Sequence, residues 1–263
     1  MFAFFACATC SCVSTFLYYP TNEIRYTPGD AGMQYENVYY DDSHGNKING
    51  WWVPAQGAAF TILLCHGNGG NIQHRIGQIK ILNGQGYNVF VFDYAGYGMS
   101  GGEPSEQVLY DDAAGAWTYL TGRRMLSPSK VVVWGTSLGG SVAARLASTT
   151  APRALVLESA FYSLADVARH HAPIYPSRLC IGDSYATFKY LADVRCPVLV
   201  IQSKDDKTVP YEHGVRLFNA AHGPKQFVGI QGSHNNGFFL SRGIICAALK
   251  TFMHDTDVKE YNK

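Results

Sequence analysis

A serine hydroxyl is a poor nucleophile at neutral pH and becomes useful only beside a base that can take its proton. Ser137 lies in Gly135-Thr136-Ser137-Leu138-Gly139, directly after the apolar run Val131-Val132-Val133-Trp134 and before Gly140, Ala143 and Ala144. A G-x-S-x-G at a strand-to-helix turn holds its serine in a strained conformation, and its glycines are needed because a Cβ would clash with the tight turn. The plainer role for such a serine is to cap the helix. Small residues behind it, which let the helix pack close, favour the nucleophile.

Nine histidines could supply the base, and position separates them. His234, in Gly232-Ser233-His234-Asn235-Asn236, follows the last strand-like run and opens the last helix-like one. His222 precedes that run, His170 and His171 fall in an insertion, and His74 and His213 lie within helical stretches as surface or packing residues. A buried carboxylate must hold the base in one tautomer. Ser203-Lys204-Asp205-Asp206-Lys207-Thr208-Val209-Pro210 offers two, and the D-x-x-V-P register selects Asp206 over Asp205. Backbone N–H groups for a developing oxyanion are expected from Leu138, which follows the nucleophile, and from Asn68 in the glycine-rich His66-Gly67-Asn68-Gly69-Gly70-Asn71. The His66 side chain is expected to hydrogen-bond this loop. Gly69, Phe161 and Tyr162 are the candidate substrate-facing residues.

These groups must converge from distant parts of the chain, and the apolar pattern says how. Runs at 61–65, 89–92, 131–134, 154–157 and 198–201 are continuously apolar, as in strands buried on both faces of a parallel sheet. An antiparallel pair, 35–41 and 47–53, precedes them across Ser43-His44-Gly45-Asn46, and a strand at 226–230 follows. Helical spacing recurs at 72–86, 105–121, 138–148, 211–221 and 238–253. The pattern predicts a doubly wound α/β fold of about eight mostly parallel strands, with ligand chemistry beyond the strands' carboxyl ends. Residues 21–263 read as one domain, with 161–195 a small cap.

The chain has 263 residues, 47% of them hydrophobic and 16% charged, which excludes a disordered tail. A net charge of +1 leaves no footprint for nucleic acid. Seven cysteines, three of them crowded at Cys7, Cys10 and Cys12, suggest no disulfide framework and complete no zinc set. Residues 1–19 carry no charge and are rich in Phe and Cys. An anchor or signal-like segment, with thiols that could be acylated, competes there with a truncated signal sequence and a packed apolar arm. Membrane association through this segment is the expectation, with the remainder cytoplasmic or secreted. The chemistry read above calls for no cofactor and no metal.

Gly96-Tyr97-Gly98-Met99-Ser100-Gly101 formally matches a dinucleotide-binding fingerprint, but Gly102-Glu103-Pro104 follows where the phosphate-binding helix should run. A non-catalytic anchored binding protein on the same fold is the other alternative.

Several stretches together carry a resemblance: His66-Gly67-Asn68-Gly69-Gly70-Asn71-Ile72 with His74-Arg75, Asp93-Tyr94-Ala95-Gly96-Tyr97-Gly98, the serine turn, Glu158-Ser159-Ala160-Phe161, and the D-x-x-V-P and S-H-N segments. From about residue 35 to 253 the chain resembles the α/β-hydrolase superfamily. Within it, the chain is similar to the small-cap group of BEM-type hydrolases and membrane-associated protein depalmitoylases, although the group's usual Arg is Ala95 here. The resemblance implies hydrolysis of a carboxylic ester or thioester, in a small molecule or an acylated protein; the Phe- and Cys-rich N-terminus leans this toward a depalmitoylase or lipase-like esterase.

Overall fold

The computed structural model describes residues 17–174 and 176–260. Eight strands form one sheet: β2 (Glu36–Asp41), β3 (Lys47–Val53), β4 (Thr61–Cys65), β6 (Asn88–Phe92), β7 (Val131–Thr136), β8 (Ala154–Glu158), β9 (Val198–Ser203) and β10 (Lys225–Ile230). Their spatial order is β10-β9-β8-β7-β4-β6-β3-β2, antiparallel at β2–β3 and β3–β6 and parallel elsewhere. Two further two-residue strands, β1 (Tyr19–Pro20) and β5 (Gly69–Gly70), pair parallel to each other outside this sheet.

Successive strand residues point to opposite faces, and here both faces are covered, which is why the runs are apolar without alternation. Leu63, Phe90, Phe92, Val133, Leu155, Leu157 and Val200 face α2 (Glu106–Thr118), α3 (Leu138–Thr149) and α7 (Tyr211–Ala220). On the other face, Ile62, Leu64, Val89, Val91, Val132, Val156, Leu199 and Ile201 meet α1 (Ile76–Gly84) and α9 (Arg242–Glu260). Between β8 and β9 the insertion folds into three short helices, α4 (Leu164–His171), α5 (Ser177–Ile181) and α6 (Thr187–Leu191). The buried carboxylate of Asp166 ties α4 to α7 through Arg216 Nη2 at 2.9 Å, and Arg169 Nη2 holds its other oxygen at 2.7 Å.

Two expected helices are subdivided. Residues Ile72–Arg75 form a 3₁₀ turn capped by Asn71, and α1 starts only at Ile76. The stretch expected at 238–253 splits into α8 (Gly237–Leu240) and α9 at Ser241, whose Oγ both accepts from Gln231 N and donates to Gln231 O at 3.1 Å.

The chain before β2 is laced to the loop after β4. Asn68 Nδ2 donates to Leu17 O at 2.8 Å, Thr21 N to Gly70 O at 3.1 Å, and the buried Asn71 Nδ2 to Thr21 O at 2.8 Å and Glu23 O at 2.9 Å. Asn71→Ala strands these carbonyls and removes the turn's cap, so a loss of about 2 to 3 kcal/mol in urea unfolding is expected. No helix among the described residues is long and apolar enough to cross a membrane. The cysteines at 7, 10 and 12 and most of the apolar N-terminal segment lie outside the described residues; Cys65, Cys180, Cys196 and Cys246 are free thiols.

Candidate active site

Strand β4 has β6 on one side and β7 on the other, so the chain leaves it toward opposite edges and a crevice opens at its carboxyl end. A cleft of about 580 Å³ lies there, its lining including Asn68, His74, Arg75, Gln78, Phe238 and Phe239. Ser137, Glu158 and His234 also face it.

Ser137 joins β7 to α3 with φ 55° and ψ −118°, a left-handed backbone that a non-glycine residue adopts only when its surroundings enforce it. Those surroundings are visible. Ser137 N donates to Glu158 O at 3.0 Å, and Gly140 N donates back to Ser137 O at 2.9 Å. A Cβ on Gly135 would overlap Gly139 O, and one on Gly139 would overlap the carbonyl oxygens of Cys65 and His66. Gly139→Ala is therefore expected to destabilise the chain by about 3 kcal/mol or more, read as a lowered urea midpoint, since backbone on both sides leaves the methyl nowhere to go.

The Glu158 side chain props the same turn: its Oε2 accepts from Trp134 Nε1 at 2.8 Å, Gln78 Nε2 at 2.9 Å and Thr136 Oγ1 at 3.1 Å. Burial pushes this carboxyl above its ordinary value, and the three donors oppose that rise.

His234 follows β10 and reaches into the cleft, where its Nε2 lies 3.1 Å from Ser137 Oγ. Its Nδ1 lies 2.7 Å from Asp206 Oδ2. The second oxygen of Asp206 accepts from Thr208 N at 2.9 Å and Val209 N at 2.8 Å, so the buried carboxylate is fixed by the start of its own loop. A carboxylate can only accept, which assigns the Nδ1 proton to His234 and leaves Nε2 free to take the serine's. Asp205 points elsewhere, its Oδ2 accepting from Gly232 N at 2.9 Å. Hydroxyl, imidazole and carboxylate thus form one relay able to move a proton off Oγ.

The loop after β4 has its carbonyls tied back one after another. His66 O accepts from Tyr94 Oη at 2.9 Å, Gly67 O from the His66 ring Nδ1 at 2.7 Å, and Asn68 O from Tyr97 Oη at 2.8 Å. Gly69 O accepts from Arg75 Nη2 at 2.7 Å. His66 is fully buried, and that burial drives its pKa down to about 3, so it is a neutral donor to the loop.

The remaining expected site residues separate. Gly69 lines the cleft. Phe161 is packed in the core, and Tyr162 faces a different cavity of about 460 Å³ beneath the cap. There its ring stacks on Phe188 at 4.5 Å, under the Arg216 guanidinium. The sequence reading gave no role to Arg75, Gln78, Glu158, Phe238 or Phe239, all of which line the cleft. His74-Arg75 and Glu158-Ser159 belong to the stretches that carry the resemblance; Glu158 closes β8, a strand-end position that pointed to the site, whereas Arg75 stands in the 3₁₀ turn.

Residues 61–180 match the family model of the α/β-hydrolase fold. The protein Rv2307c of Mycobacterium tuberculosis is 37% identical over 225 residues, spanning 84% of this chain and 80% of that protein. The chain belongs to the α/β-hydrolase superfamily. The lysophosphatidylserine lipase ABHD12 of Danio rerio is 31% identical over 242 residues, 77% of this chain and 63% of that protein. Among solved structures, the Pyrococcus furiosus esterase Pf2001 superimposes with a TM-score of 0.75 at 20% identity, covering 90% of this chain and 98% of that one.

Proposed function

We propose that this α/β-hydrolase cleaves a carboxylic ester or thioester through a covalent acyl-enzyme formed on Ser137. The observation that carries the reading is the relay from Ser137 Oγ to His234 Nε2 at 3.1 Å and from His234 Nδ1 to Asp206 at 2.7 Å, in one open cleft.

As the Oγ–carbon bond forms, His234 Nε2 takes the hydroxyl proton. When the adduct collapses, the bond from carbon to the leaving oxygen or sulfur breaks and His234 returns that proton to it, releasing an alcohol or thiol. Water then repeats the sequence: its proton goes to His234, its oxygen adds to the acyl carbon, and Ser137 departs reprotonated as the carboxylic acid leaves. Asp206 stabilises the imidazolium throughout without becoming protonated.

Two backbone donors serve the oxyanion in this reading. As the first residue of α3, Leu138 has an N–H with no acceptor inside its helix. For Asn68 the argument is peptide geometry: in a trans peptide the N–H points away from the preceding C=O. The Gly67 carbonyl is turned onto the His66 ring, which directs the Asn68 N–H the opposite way.

The aromatic wall of Phe238 and Phe239 suits an acyl chain, and kinship with a lipase supports a lipid-like ester. Membrane association through residues 1–19 is part of the same proposal: deleting residues 1–16, which leaves the bonds of Leu17 and Tyr19 to the loop after β4 in place, should shift the chain from vesicles to solution while activity on a soluble ester is kept. The deciding assay is a panel of acyl esters and thioesters of graded chain length, combined with fluorophosphonate labelling. Turnover together with label on Ser137 supports the reading; label absent from Ser137 in a folded chain defeats it.

A further inference from the structure

Arg75 is not used by the proton relay, and its surroundings are unusual for a guanidinium. It lies on the cleft wall, yet its Nε is shut off from solvent and has no hydrogen-bond partner among the described residues. Its one hydrogen bond there is from Nη2 to Gly69 O at 2.7 Å. No described carboxylate lies within ion-pair distance of it, although Glu158 and Asp93 are close enough for their charges to favour its protonated form. Neither is a strong competitor for it. The Glu158 oxygen Oε2 is taken by three donors, and Asp93 Oδ1 accepts from Ile72 N at 2.9 Å.

A cation partly screened from water and with donors to spare gains from an acceptor, and a planar guanidinium is matched by a carboxylate or phosphate. The cleft offers both kinds of surface. Arg75 lines it together with the polar Asn68, His74 and Gln78, and Phe238 and Phe239 supply apolar surface. Ser137 lines the same cleft.

We infer that Arg75 forms an anion subsite of the cleft, so that preferred substrates carry a phosphate or carboxylate on the alcohol side of the ester, with the acyl chain against the aromatic wall. This rests on the hydrolase reading above and specifies the substrate class for that site.

The test compares 1-hexanoylglycerol, 1-hexanoylglycerol-3-phosphate and O-hexanoyl-lactate on the full chain, its Arg75→Gln variant and its Arg75→Lys variant. The wild type is expected to show a higher kcat/KM on one or both charged esters than on the neutral one. Arg75→Gln should reduce that preference about tenfold to a hundredfold, the usual range for a charge-assisted hydrogen bond, and Arg75→Lys should restore part of it. Whichever charged ester leads, phosphate or carboxylate, identifies the group. No preference in the wild type, or an equal fall on all three esters in Arg75→Gln, would reduce Arg75 to a clamp on Gly69 and overturn the inference.

Calorimetric binding of the ether analogues 1-O-hexylglycerol and 1-O-hexylglycerol-3-phosphate separates the two proposals. Tighter binding of the phosphate, weakened by Arg75→Gln, upholds the subsite even if no ester is cleaved. Cleavage with no preference in either measurement leaves the hydrolase reading intact and removes the subsite.

Discussion

Replacing Ser137 by alanine is expected to lower kcat on the best ester by about six orders of magnitude, the loss seen when the nucleophile of such a relay is removed and its partners have nothing left to activate. Folding should survive. Apart from the Oγ contact with His234, the turn is held by backbone bonds, by the Glu158 carboxylate and by glycine clearances, none of which alanine disturbs. One half-exposed hydrogen bond amounts to about 1 kcal/mol, so the urea midpoint should barely move. Residual catalysis of about a thousandfold over water is expected from the Leu138 and Asn68 donors, which belong to the backbone and remain. Steady-state kinetics and mass-spectrometric mapping of a fluorophosphonate adduct are the measurements. A fall of less than about a hundredfold would mean that another group attacks the substrate.

Much of this site could be read from sequence because the relay residues sit at strand ends. A buried parallel strand is marked by its apolar run, and whatever follows its carboxyl end is delivered to the same rim of the sheet. Ser137 after β7, Asp206 after β9 and His234 after β10 each follow that rule. Phe161 and Tyr162 follow it only in sequence. Ser159, with φ 47°, bends the chain just past β8, sending Phe161 into the core and Tyr162 beneath the cap. Arg75, by contrast, enters the cleft from a 3₁₀ turn whose existence depends on the Asn71 cap, and a four-residue turn has no periodicity to detect. The same is true of the pairing of Tyr19–Pro20 with Gly69–Gly70, two residues long and fifty apart in the chain. The break between α8 and α9 depends on a side-chain bond from Ser241 to the end of β10, which no local pattern encodes.

Asp206→Asn is expected to lower kcat by about four orders of magnitude while leaving the backbone of the loop in place. The reason lies in how the carboxylate is held. One oxygen accepts from the N–H groups of Thr208 and Val209, and an asparagine carbonyl would keep both bonds. Its amide NH₂ would then face His234 Nδ1, where the carboxylate oxygen now stands at 2.7 Å. Two donors cannot share that contact, so the ring proton moves to Nε2, the nitrogen that faces Ser137 Oγ at 3.1 Å, and the base is lost. Asp205→Asn supplies the control. Its side chain keeps an oxygen for the Gly232 N–H, has no contact with His234, and should change kcat less than about tenfold. Comparing both variants by kcat and by the rate of fluorophosphonate labelling distinguishes a lost base from a lost fold, since a correctly folded Asp206→Asn chain retains the melting temperature of the wild type within a few degrees yet labels slowly. If Asp205→Asn proves the more damaging of the two, the acid has been assigned to the wrong neighbour, and the 2.7 Å contact is an alignment without a catalytic consequence.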